Sequence, residues 1–295
     1  MPMLDLFSNT LLQALTFGVG AVGIAIAFRV ARYPDLTADG SFMLGSSVFA
    51  YAAPLTGFWP AFAISMLSGA AAGAATSMLN SWCGVSRLLS GILTTMIAYS
   101  LAFRFLGGHP NIGLPEETPS FSWALAALFA VVTIVVIRQL LNSDLGLLLR
   151  STGSNPGLIA DLGRSPFLYR ALGLAVANGL VAAAAVLVSV QQGFVDINLG
   201  VGVVITLIAA LVLGEELFNA FGTLQHRGQI RRAVAPFVGA AIFFLLYLLI
   251  LKASIRGWIP VSVQPTDLKL LTAAVIVGVI ALRRKRNPRE DILPL

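Results

Sequence analysis

Asp35 and Asp39 flank Thr37 just ahead of an apolar run, with Ser41 two residues further on. Carboxylates at the mouth of a short apolar segment fit an ion or solute pathway, because interrupted membrane segments mark such pathways. A plain capped turn, with Asp39 and Ser41 as caps, is the competing reading. Asp196 and Asn198 form a second acidic turn before another apolar run. Thr94 and Thr95 place hydroxyls inside a further run, where they either face a pathway or bond their own backbone. Asp35, Thr37, Asp39, Ser41, Thr94, Thr95, Asp196 and Asn198 are the candidate pathway residues. Glu215 and Glu216 close one run, and at least one of them is expected to snorkel to its end or lie in a loop.

Other chemistry is absent. Cys83 is the single cysteine, so a disulfide within the chain and a cysteine metal site are excluded. His109 and His226 stand in separate loops with no second ligand at metal spacing. No phosphate-binding G-x-x-x-x-G-K-[ST] motif occurs, and the three lysines, Lys252, Lys269 and Lys285, follow no such glycines. No Ser/His/Asp or Cys/His pairing stands out, and no catalytic residue or cofactor is expected. Gly18, Gly20 and Gly23 spell G-x-G-x-x-G, but no strand precedes them and the run is apolar. Close helix packing is the reading there, not a dinucleotide site.

The elements that hold these residues are membrane spans. Apolar residues make up 57% of the chain and charged ones 11%, with mean hydropathy +0.88. Those shares lie far from soluble domains. Several runs reach the ~18 apolar residues of a spanning helix. The expectation is one all-α polytopic membrane domain over residues 1–295, with about eight or nine spans. Their approximate positions are 10–28, 41–55, 58–79, 88–106, 122–137, 171–190, 201–217, 233–251 and 268–282. The second and seventh are short enough to be partly re-entrant. The first run reads as a retained span, not a cleaved signal. Ser65, Gly69, Gly73 and Ser77 recur every fourth residue, a stripe that lets another helix approach closely.

The longest polar interruption lies at the middle, within residues 138–170. Ser154 or Asn155 suits a helix N-cap, Pro156 the first helical position and Gly163 a left-handed closing turn. Leu158, Ile159 and Leu162 share a face by i, i+3, i+4 spacing. So short a helix is not stable alone. Either it joins two spans along the membrane surface, or its apolar face docks on a second protein.

Charge orients the chain. With nine spans and the N-terminus outside, all but four of the 19 lysines and arginines fall on the cytoplasmic side, the four being Arg104, Lys252, Arg256 and Lys269. The middle segment and the basic tail, residues 283–295, are then cytoplasmic. The net charge of +6 therefore reads as topology, not nucleic-acid binding. The turn beginning at Asp35 and the one beginning at Asp196 fall on opposite faces, as an inverted repeat would place them.

RVARYPDLTADGSFMLG after the first span, GLLLRSTGSNPGLIADLG at the middle, and GFVDINLGVGVVITLIAALVLGEELF resemble the permease subunits of ABC importers. The resemblance, over about residues 10–250, is to the branched-chain amino-acid-type permease superfamily, and within it to the branch labelled tryptophan/tyrosine transport permeases. It implies a type II importer-like fold in the bacterial plasma (inner) membrane and a second permease chain, in a homodimer with a heterodimer as the alternative. It also implies cytoplasmic P-loop ATPase subunits and an extracytoplasmic solute-binding protein. The midpoint helix becomes the coupling helix, with Arg150, Ser154, Asn155, Pro156, Leu158, Ile159 and Leu162 engaging the ATPase. The solute is expected to be an amino acid or similar compound. An ion-coupled secondary transporter using Asp35, Asp39 or Asp196 is the alternative.

Overall fold

The computed structural model describes residues 3–115, 122–220, 228–255 and 267–286. His226, Arg227, Arg256 and the tail from residue 287 lie outside them. The helices are α1 (Met3–Ala25), α2 (Thr37–Thr56), α3 (Phe58–Trp82), α4 (Arg87–Phe105), α5 (Trp123–Asn142), α6 (Asp144–Ser154), α7 (Pro156–Asp161), α8 (Pro166–Gln192), α9 (Val203–Ala220), α10 (Gly228–Ile255) and α11 (Asp267–Arg286). Strands β1 (Asn111–Gly113) and β2 (Phe194–Asp196) pair antiparallel, with Ile112 opposite Val195. Seven of the described helices are long and apolar enough to cross a membrane, so this is a multi-pass membrane protein.

Local chemistry sets most helix ends. Ser86, Ser122 and Ser143 accept from the N–H groups of Leu89, Leu125 and Gly146, capping α4, α5 and α6. Gly193, at φ 77°, closes α8 in the left-handed region. The middle of the chain differs from a loop over residues 138–170. α5 runs on to Asn142, α8 starts at Pro166, and two short helices fill the interval.

The packing repeats itself. α3 lies on α8 as α10 lies on α1, and α2 lies on α3 as α9 lies on α10. Likewise α2 contacts α4 and α8, while α9 contacts α11 and α1. The α1–α8 contact joins the two halves. Even the turns agree: the Asp35 carboxylate accepts from the Thr37 N–H at 2.8 Å, and that of Asp196 from the Asn198 N–H at 2.7 Å. Matching contacts and matching turns thus mark an internal repeat, but the starts of α2 and α9 lie together, joined through Asp39, and not on opposite faces as the charge count placed their turns.

Small residues allow this. A Cβ on Gly45 would lie 2.6 Å from the Ala182 Cβ, and one on Gly69 the same distance from the Asn178 carbonyl oxygen. Gly23 meets the Ala177 carbonyl in the same way. The glycines at 18, 20 and 23 are packing residues, as their apolar setting predicts.

Candidate functional site: broken helices at the centre and a short helix at one end

α1 does not run straight into α2. It ends in a π-helical turn, Ile26–Val30, then Arg32 takes φ 47° and the chain extends to Leu36. Such π turns often mark functional sites. Tyr33, Pro34 and Asp35 of this stretch are buried, so their polar groups need partners inside the protein. The Leu36 carbonyl accepts from the Thr95 hydroxyl at 2.9 Å, which ties the stretch to α4.

Asp35 is 1% exposed. Besides the Thr37 N–H, its carboxylate accepts from the Asn178 side-chain amide of α8 at 2.6 Å. The Asn178 carbonyl oxygen in turn accepts from the Ser41 hydroxyl at 2.7 Å, and Thr37 and Thr76 share a hydroxyl–hydroxyl bond of 2.6 Å. Asp35, Thr37 and Ser41 therefore form one internal network joining α2, α3 and α8. The partners of Asp35 there are uncharged, and a buried carboxylate is tolerated only with such hydrogen bonds.

Asp39, one turn into α2, reaches across to α9. Its two oxygens accept from the N–H groups of Gly202 at 3.1 Å and Val204 at 2.7 Å. The two helices meet at their N-terminal ends with this carboxylate between them. An acid there satisfies orphan donors and lies at the positive ends of both dipoles. Beside it, Gly200 packs against the Asp39 carbonyl and the Tyr99 hydroxyl, and that hydroxyl is buried with no hydrogen-bond partner among the described residues.

The remaining candidates do not join this centre. Thr94 donates to the Ser90 carbonyl of its own helix at 2.9 Å, the backbone-bonding alternative. Asp196 and Asn198 sit in a turn at the β2 end, with Asn198 exposed. The structure adds Thr76 and Asn178, and it sets Tyr99, a polar residue of the same run as Thr94 and Thr95, beside the Asp39 turn. Asn178 and Tyr99 are visible in the sequence as polar residues within apolar runs, but nothing in their spacing pairs them with Asp35 or Asp39. Glu215, near the end of α9, pairs with a cation: Arg29 donates to its two oxygens at 2.9 and 2.6 Å.

At the other site the local expectations hold. The Asn155 side chain accepts from the Leu158 N–H at 3.3 Å, Pro156 opens α7, and Gly163 follows it at φ 69°. Leu158 and Leu162 are exposed, 47% and 62%. Ile159 is not, which corrects its expected place on an outward face: it is wholly buried, and α7 packs on α6 and α8. Arg150 is also turned inward, donating to the Gly146 and Leu141 carbonyls at 3.1 Å each and so fixing α6 to the end of α5. Ser154 donates to the Arg150 carbonyl at 3.1 Å. Ile159 and Arg150 mount the helix, and Leu158 and Leu162 are what it presents.

The fold is thus a helical multi-pass membrane bundle in which two buried helix starts, those of α2 and α9, face each other across Asp39. The chain matches the family described as branched-chain amino acid transport system / permease component over residues 6–281, and it belongs to that family. A protein of Clostridioides difficile (strain R20291) named tyrosine transport system permease protein is 31% identical over 92% of this chain and 90% of its own length. A protein of Rickettsia prowazekii (strain Madrid E) named uncharacterized protein RP368 is 30% identical over 92% of this chain and 96% of its own. No solved structure matches significantly.

Proposed function

We propose that this chain is the membrane subunit of an ATP-driven importer whose motor is a separate cytoplasmic ATPase docking on α7. The observation that carries the reading is the exposed pair Leu158 and Leu162 on a short helix held from behind by buried Ile159. Burying what remains exposed of these two leucine side chains in a partner's groove would contribute on the order of 1.5–3 kcal/mol before binding costs. The charge pattern supports a cytoplasmic position for α7 and for the C-terminus. A second permease chain would complete the pathway, and an extracytoplasmic binding protein would deliver the solute. The name of the Clostridioides difficile relative supports an amino acid, tyrosine among the candidates, as that solute.

The test is the Leu158→Asp/Leu162→Asp double variant, with Ile159 left in place. Expected is loss of co-purification with the P-loop ATPase and of ATP-dependent uptake, with an unchanged gel-filtration profile. Unaltered ATPase association refutes the docking face. Uptake that collapses with an ionophore at constant ATP would instead support the ion-coupled reading. Labelling of an Asn155→Cys variant from outside sealed cells would overturn the orientation.

A further inference from the structure

At the end of the bundle that carries α6 there is a cavity of about 680 Å³. Arg29, within the π-helical turn, and Arg32, at its exit, stand at it with Arg150 of α6, and Glu215 of α9 is the one carboxylate among the described lining residues. Among the described lining residues, three guanidiniums stand against one acid, a positive balance. The deeper wall is apolar, built from Val22, Ile26, Ile137, Leu141 and Leu211. Arg32 holds its place through a positive φ that a non-glycine residue rarely adopts. Arg29 is held by its two bonds to Glu215.

We infer that this cavity binds an anionic phospholipid, with the phosphate among the arginines and acyl chain along the apolar wall. Basic pockets between membrane helices at the cytoplasmic surface take such headgroups, and guanidinium matches phosphate geometry. A free phosphate would use the cations but leave the apolar wall without a partner. The inference rests on the proposed orientation, yet not on ATPase docking, because binding is read on the permease alone.

The experiment uses the full chain, purified in mild detergent, and measures retained lipid by native mass spectrometry against added phosphatidylglycerol or phosphatidylcholine. Wild type is expected to prefer phosphatidylglycerol. Arg32→Gln, which keeps a non-glycine residue at the same φ, should weaken that lipid about fivefold, the usual effect of one basic residue near a lipid surface. Glu215→Gln should strengthen it by a similar factor, a sign that general loosening of the fold would not produce. Arg104→Gln, on α4 and outside the cavity lining, should change nothing. Equal retention of both lipids by wild type overturns the inference, as does unaltered phosphatidylglycerol binding in Arg32→Gln or weakened binding in Glu215→Gln. Displacement of the lipid by millimolar inorganic phosphate would make this a free-anion site and overturn the lipid assignment.

Discussion

Asn178 is the residue on which the internal network turns. It lies 143 positions from Asp35 and 137 from Ser41, and it bonds both. Replacing it by alanine removes the amide from a buried carboxylate and the acceptor from a buried serine. A hydrogen bond to a charged group is worth about 1.5–3 kcal/mol, and a neutral one between membrane helices about 0.6. The loss for Asn178→Ala is then about 2–4 kcal/mol. A double-mutant cycle isolates the pair of interest: Asp35→Ala, Asn178→Ala and both together, followed by equilibrium unfolding in mixed detergent micelles. The Thr37 cap lost in Asp35→Ala cancels in the cycle. A coupling of about 1–3 kcal/mol is expected from the 2.6 Å bond. A coupling below about 0.5 kcal/mol would show that Asp35 draws its stability from elsewhere and would refute the network as the link between α2 and α8.

Three further outcomes follow from the geometry. Gly69→Ala should cost about 1–3 kcal/mol by overpacking against Asn178 and Ala182, whereas Gly278→Ala, with open space around it, should be neutral or stabilise by up to about 1 kcal/mol; thermal denaturation followed by fluorescence size-exclusion separates them. Asp39→Ala should destabilise by about 1–2 kcal/mol and slow uptake, because two N–H groups at the start of α9 lose their acceptor, and Asp39→Asn should recover only part of either, since its amide keeps one acceptor oxygen for the two N–H groups. Asn155→Ala should weaken ATPase co-purification without lowering global stability, and Asn155→Asp should restore it, since the cap bond is local to α7.

Elements whose ends are written by neighbouring residues were legible in the chain. Asn155, Pro156 and Gly163 placed α7 before any contact was known, because capping needs only atoms within four residues. The acidic turns at Asp35 and Asp196 marked the two interrupted segments for the same reason. The short second segment proved longer than residues 41–55, since α2 begins at Thr37 under the Asp35 cap. Thr94 and Thr95 could not be told apart by sequence: adjacent hydroxyls point to different neighbours, one to its own helix and one to the Leu36 carbonyl.

Composition by itself determined that this is a multi-pass helical membrane protein, because lipid demands long apolar runs with internally bonded backbone. It also fixed the run of short caps along the chain. Which residue of an apolar face turns inward was decided only by tertiary packing. Ile159 and Leu162 obey the same helical spacing, yet α6 and α8 cover the first and leave the second open. In spans that are apolar all round, periodicity does not separate a face toward lipid from a face toward a helix. The pairings of Asp35 with Asn178 and of Arg29 with Glu215 join residues 143 and 186 positions apart, and no local rule reaches that far.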